Sequence, residues 1–210
     1  VLNDEVHHAY NKVEGNTSES KSVKKWKEFL LDPTFNFKYI LGFTGTSYIE
    51  NDYFNDVIYR FSLRTAIENK FVKSVNYVVE NVDANENEKF QKILQNHKRN
   101  KQDYSNLKPL TILVTKDITK AKNLAAELSE FLQNKEHISA EECDKKVLIV
   151  TSHSDHKANV KKLKDVDNKE DSTEWIVSVS MLTEGWDVKN VFQIVPWEDR
   201  AFNSKLLIAQ

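Results

Sequence analysis

Leu110-Thr111-Ile112-Leu113-Val114-Thr115, followed after Lys116 by Asp117 and then by Ile118, Ala121, Leu124, Ala125, Leu128 and Phe131, decides the fold class. The first run is apolar and rich in strand-forming residues, so it reads as a strand. The second repeats apolar residues at intervals of three and four, so it reads as a helix from Asp117 to Leu132. Leu107-Lys108-Pro109 opens this unit. Downstream, Lys146–Thr151, Trp175–Ser180 and Val191–Pro196 are further strand-like runs, and the polar stretch Asp155–Asp171 fits a short helix with a solvated loop. Strands that alternate with helices imply parallel βαβ units and an α/β fold.

Upstream, Val1–Glu5 reads as the end of a buried strand that runs into acids. Ser18–Leu31 reads as a helix with Val23, Trp26, Phe29 and Leu30 on one face. Ser20 or Ser22 could cap it, and Asp32-Pro33 stops it. Phe37–Phe43 reads as a second buried strand, Ser62–Lys70 as a short helix and Val75–Val82 as a strand. Glu86–Lys101 is a charged helical stretch. The expected organisation is two lobes with parallel sheets, over residues 1–75 and 107–210, joined by a linker or helical connection at 76–106.

Composition sets limits. The chain has 210 residues, 40% of them hydrophobic, with 30 Lys+Arg against 32 Asp+Glu and a formal charge of −2. That excludes a polybasic tail, although a basic groove can sit on a neutral molecule. No apolar run approaches the roughly 20 residues of a membrane span, so no membrane partner is expected. The start of the chain lacks the basic and apolar regions of a signal peptide. Cys143 stands alone, which excludes an intrachain disulfide framework and points to a reducing, cytoplasmic compartment.

Glycine is scarce, with 4 residues in all. Gly42 and Gly45 share the stretch Leu41-Gly42-Phe43-Thr44-Gly45-Thr46, and Gly185 lies in Leu182-Thr183-Glu184-Gly185-Trp186-Asp187-Val188. Asp4-Glu5-Val6-His7 supplies an acid pair with a histidine two positions on. In a phosphate-hydrolysing site the first acid can hold Mg²⁺ and the second can orient the attacking water. Read alone, the tetrapeptide fits equally a charged strand terminus. Thr44-Gly45-Thr46 offers hydroxyls able to relay hydrogen bonds, or a plain turn or helix cap. The Gly185 stretch joins two strands and is the longer signal. His7 and His8 are poorly placed to share one metal.

In this order and spacing the three stretches resemble motifs II, III and V of the superfamily-2 DExH helicase and translocase core. The run Gly185-Trp186-Asp187-Val188-Lys189-Asn190-Val191-Phe192-Gln193-Ile194-Val195-Pro196, with Ala201-Phe202-Asn203-Ser204-Lys205-Leu206-Leu207-Ile208-Ala209-Gln210, is most similar to the Res subunit of type III restriction-modification enzymes. Leu110–Thr115 fits the position of motif IV.

The resemblance implies two RecA-like lobes that bind ATP and Mg²⁺ and move on double-stranded DNA, in partnership with a methyltransferase subunit. By resemblance Asp4 holds Mg²⁺, Glu5 acts on the hydrolytic water, and His7 couples them to Thr44, Gly45 and Thr46. Gly185, Asp187 and Gln210, the first residue of motif VI, serve the nucleotide. Thr115 and Thr183 touch the nucleic-acid backbone. Lys98, Arg99 and Lys101, or Lys157, Lys161, Lys162 and Lys164, add electrostatic grip or form solvated helix faces. No Gly-x-x-x-x-Gly-Lys-Ser/Thr phosphate loop occurs in the 210 residues, and no Pro-Asp…Asp/Glu-x-Lys nuclease arrangement sits in a strand context. The expectation is therefore a piece of a motor, running from motif II to the start of motif VI and nearly inert alone. Its first lobe would be truncated at the N-terminus and its second at the C-terminus. The alternatives are a non-catalytic helicase-like binding module and a DNA-repair or remodelling helicase of the same superfamily.

Overall fold

The computed structural model describes residues 1–10, 18–45, 47–49, 52–74, 76, 85–179 and 188–197. Two units divide at Val78/Val79. In the first, β1 (Leu2–Asn3) pairs in parallel with β2 (Leu41–Gly42), Leu2 opposite Leu41 and Asn3 opposite Gly42. Phe43 N–H donates to the Asn3 carbonyl at 2.8 Å, so the ladder runs one step past Gly42. Helix α1 (Val6–Tyr10) starts directly after the Asp4-Glu5 turn, its first N–H donating to the Phe43 carbonyl at 3.0 Å. Helix α2 (Ser18–Leu31) is tied to β1 by Trp26 Nε1–H, which donates to the Asn3 side-chain oxygen at 2.8 Å. The unit also holds a two-stranded antiparallel pair, β3 (Tyr48–Ile49) with β4 (Asp52–Tyr53), and α3 (Leu63–Glu68), capped by Ser62.

Two expectations for this unit need correction. Leu2 is 71% exposed and only Asn3 of β1 is buried, so β1 is not a wholly buried strand. The strand expected over 37–43 shrinks to Leu41–Gly42. The aromatic residues before it pack locally instead. Phe29 of α2 lies 5.2 Å from Trp26, 4.7 Å from Phe35 and 5.3 Å from Phe37, ring centre to ring centre. A 3₁₀ turn over Pro33–Phe35, with Asp32 capping it and Asn36 left-handed at φ 43°, turns the rings back onto α2. That contact replaces the alternation a strand needs. The strand expected at Val75–Val82 lies outside the described residues, Asn76 apart.

The second unit holds α4 (Glu86–Asp103), β5 (Leu110–Thr115), α5 (Ile118–Glu136), α6 (Ala140–Lys146), β6 (Val147–Val150), α7 (Lys157–Lys162), β7 (Trp175–Val179) and β8 (Val191–Pro196). Its sheet runs β6-β7-β5-β8 with every pairing parallel. Asn85, Asp117 and Ser139 cap α4, α5 and α6, each accepting the backbone N–H three residues on, which satisfies orphan donors at the helix starts.

Alternation along the strands splits the core into two layers. Leu113, Trp175, Val177 and Val195 face α4 and α5, together with Cys143 of α6. Leu110, Ile112, Val114, Leu148, Val150 and Ile176 face the other way, toward Leu163 and Val166. The stretch after β6 is therefore not only solvated, since it covers the second face of the sheet. Helix α4, read as part of a connection, likewise belongs to the core. Phe90, Ile93 and Leu94 are buried against α5 and the sheet, at a spacing that its many charges obscure in the sequence.

At the amino-terminal edge of this sheet α4 is pinned by a buried polar network. His97 Nδ1 lies 3.0 Å from Thr111 Oγ1, and His97 Nε2 3.1 Å from Glu174 Oε2. Lys101 Nζ donates to Glu174 Oε1 at 2.9 Å, and the His97 ring lies 4.4 Å from that of Trp175. Burial alone would raise the Glu174 pKa. Hydrogen bonds from His97 and Lys101 and the Lys101 charge outweigh it and lower the carboxyl to about 2.

Two predictions follow from this packing. A Cβ at Gly42 would lie 2.7 Å from both Val6 γ-methyls and 2.8 Å from Val6 Cβ. Gly42→Ala is expected to destabilise the first unit by about 1–3 kcal/mol, read from its denaturant midpoint. Truncation of Val6 to alanine should not restore it, because the Val6 Cβ remains. In the second unit the folded Glu174 pKa lies below the unfolded value, so its stabilisation is complete above about pH 4.5 and lost as pH falls through about 2. The midpoint of this unit should fall across that window. Glu174→Gln should flatten the fall and cost about 2 kcal/mol at neutral pH.

Candidate functional site

The first unit brings the acid pair and the Thr44 hydroxyl together. Parallel pairing of β1 with β2 sets their carboxyl ends side by side, with Asp4 and Glu5 leaving one and Thr44 the other. His7, 7% exposed in the first turn of α1, spans the gap. Its Nδ1 lies 2.8 Å from Thr44 Oγ1 and 3.4 Å from Glu5 Oε2. Asp4 and Glu5 are exposed, and Asp4 Oδ1 accepts the Glu5 N–H at 3.0 Å. Glu5 adopts φ 48°, a left-handed conformation that L-residues other than Asn, Asp and Gly rarely hold. That strain turns the chain from strand to helix within two residues. It sits on one of the residues the sequence singled out.

Gly45 has open space around it. A Cβ there would meet nothing within 4 Å, and the glycine that the packing requires is Gly42. Thr46, Thr183, Gly185, Asp187 and Gln210 lie outside the described residues.

In the second unit the connection from β5 leaves through α5 on one face of the sheet. On the other face Val188 packs against the Leu110–Val114 side, and Asp167 accepts the backbone N–H groups of Lys189 (2.8 Å) and Asn190 (3.0 Å). The end of β5 is Thr115, and the stretch carrying Gly185 and Asp187 follows β7. Thr115 is fully buried and its hydroxyl donates to the Asp117 carbonyl at 3.2 Å, so a nucleic-acid contact there would have to come from the neighbouring backbone.

The same edge holds a group that the sequence reading passed over, Thr151-Ser152-His153-Ser154-Asp155-His156 after β6. Thr151 Oγ1 lies 2.6 Å from His156 Nδ1, and His153 Nδ1 lies 3.2 Å from Asp155 Oδ2. Burial, and then the charge of Lys122 on α5, hold the His156 pKa below its ordinary value. A dense polar run directly after an apolar strand was the available signal. Of the two lysine clusters, the exposed Lys98 pairs with Glu136 at 3.0 Å and the exposed Lys101 with Glu174 at 2.9 Å.

Strain at Glu5 makes a prediction. Glu5→Gly is expected to raise the thermal stability of the first unit by up to about 1 kcal/mol, because glycine holds positive φ without the Cβ penalty. A melting temperature that falls would mean that the carboxylate contact to His7 outweighs the strain. Compared with protein-family models and with curated proteins, the sequence matches none.

Proposed function

We propose that these residues form the two RecA-like lobes of an ATP-dependent DNA translocase of the superfamily-2 type, closest in pattern to the Res subunit of type III restriction enzymes. In this reading they act in the cytoplasm beside a methyltransferase subunit. The observation that carries it is the 2.8 Å contact between His7 Nδ1 and Thr44 Oγ1, with Glu5 Oε2 at 3.4 Å from the same nitrogen. A histidine two positions past an acid pair, bonded to a hydroxyl at the end of the neighbouring parallel strand, is a physical link between the place of hydrolysis and the next strand end. The buried free thiol of Cys143 fits a reducing compartment.

The donor set fits Mg²⁺ bound together with a nucleotide. Among the described residues no three His, Cys, Asp or Glu side chains are grouped to hold a metal ion. Magnesium at nucleotide sites needs only one or two carboxylates, the rest coming from phosphates and water. Asp4, exposed beside the Glu5 turn, would be that carboxylate, and the cation would supply charge neutralisation on the phosphates. Glu5 would then orient and deprotonate water. The left-handed backbone points its carboxylate back toward His7. His7 would sense a shift of that carboxylate and transmit it to Thr44 through one hydrogen bond.

In the full-length protein, Glu5→Gln is expected to cut ATP turnover by at least about a hundredfold, with nucleotide binding kept. His7→Ala and Thr44→Val should leave hydrolysis but lower DNA movement per ATP. Phosphate release and strand-displacement assays read the two quantities. Turnover at the wild-type rate in Glu5→Gln would remove the motor reading and leave a non-catalytic binding module.

A further inference from the structure

The turn between β6 and α7 is closed by a buried hydrogen bond whose direction the surrounding groups fix. Thr151, the residue after β6, is 1% exposed, and His156, the residue before α7, is 8% exposed. Thr151 Oγ1 accepts the His153 N–H at 3.1 Å and lies 2.6 Å from His156 Nδ1. Among the described residues these are the contacts of that hydroxyl. A threonine hydroxyl has one hydrogen to give. If His156 Nδ1 carried a proton, the Thr151 hydrogen would be left in the interior without an acceptor, which is the costly arrangement. The hydroxyl therefore donates, Nδ1 accepts, and the imidazole is neutral with its hydrogen on Nε2.

The charges around the ring act the same way. Those facing His156 are Lys122 from α5 and His153 and Asp155 from its own turn. Burial first, then Lys122 and His153, hold its pKa below the ordinary value, and Asp155 opposes them. Asp155 is shared, lying 3.2 Å from His153 Nδ1 and 3.9 Å from Lys122 Nζ. The bond secures part of the cover on the second face of the sheet. Directly after His156, α7 is tied to β6 by Asn159 Nδ2, which donates to the Ile149 carbonyl at 2.8 Å, and Leu163 is buried in the layer that holds Leu148 and Val150. No side chain caps the first turn of α7. Strand β6 is the outer strand of its sheet, so the turn and α7 can lift without parting a strand ladder.

We propose that the Thr151–His156 bond is a proton-operated latch on α7, closed at neutral pH and opened when acid protonates Nδ1. A proton there removes the acceptor, leaves the Thr151 hydrogen unpaired and puts a positive charge beside Lys122 and His153. The ring then turns out to water and takes the start of α7 with it. The folded pKa lies below the unfolded value of 6.5. The latch therefore contributes fully above about pH 6.5, and its contribution is lost as pH falls through the folded value. The latch does not depend on the motor reading, in which none of these groups takes part.

The test is hydrogen exchange of the purified chain, read by mass spectrometry at pH 7 and pH 5 with intrinsic rates corrected. Amides over 156–163 should lose protection by at least about threefold at the lower pH, while those of β7 keep theirs. In His156→Gln, which cannot be protonated but can still accept the Thr151 hydrogen, the loss should vanish. In His153→Asn, which removes the neighbouring imidazole and can still cap the turn, it should remain. Ring nitrogen NMR of the unaltered chain needs no variant to fold. It should show His156 as the Nε2–H tautomer at pH 7, with charging only below pH 6.5. The proposal is overturned if α7 is equally protected at both pH values, if β7 loses as much, if His156→Gln keeps the loss, if His153→Asn abolishes it, or if His156 is the Nδ1–H tautomer at pH 7.

Discussion

Strand β5 lies between two parallel neighbours and beneath packed layers on both faces, so each of its side chains must be apolar or hydrogen-bonded internally. Leu110, Ile112, Leu113 and Val114 meet the first condition. Thr111 and Thr115 meet the second, through Gln193 at 3.2 Å and the Asp117 carbonyl at 3.2 Å. From this one requirement the rest of the second unit follows. A layer is needed on each face, which is why α4 and α5 stand on one side and Leu163 and Val166 close the other. The fully buried Ile176 and Val177 extend the same condition to β7, whereas Trp175 Nε1 and Ser178 Oγ are buried there without a hydrogen-bond partner among the described residues.

Parallel strands also gather their carboxyl ends on one edge, and polar chemistry then collects there. In the first unit a parallel pair of two residues each is enough to bring His7 to 2.8 Å from Thr44 and 3.4 Å from Glu5. Holding Glu5 at positive φ costs on the order of 1 kcal/mol, and the surrounding ladder and the start of α1 offset it. Stability is thus set against the geometry of a site on a scale of a single side chain.

Electrostatics divides the lysines by what the fold does with nearby carboxylates. On α4, Lys98 and Lys101 reach Glu136 and Glu174 and become structural. On α7 and the turn after it, Lys157, Lys161 and Lys164 are exposed, and so are Asp165 and Glu170. A neutral total charge therefore conceals one network of ion pairs on α4 and one exposed surface of mixed charge around α7. The first can be recognised only because Glu174, distant in sequence from Lys101, is brought to α4 by the sheet.

What the amino-acid sequence determined by itself was local and periodic: β5 and its helix, the strands β6, β7 and β8, α2 from Ser18 to Leu31, and the acid–histidine cluster. Spacing along the chain carries that information directly, because a strand repeats every two residues and a helix every 3.6. The short helices α1 and α6 were not legible, since neither is long enough to show a period. The assignment of α4 to the core was hidden by its charges, and the loss of strand before Leu41 by an aromatic cluster that forms only when α2 folds back. Tertiary structure alone decided the 2.8 Å contact of His7 with Thr44 that the resemblance had only implied, that Gly42 rather than Gly45 has no room for a side chain, and which lysines reach carboxylates on other elements. Each of those depends on distances between residues far apart in the chain, and such distances are set when strands pair and helices pack.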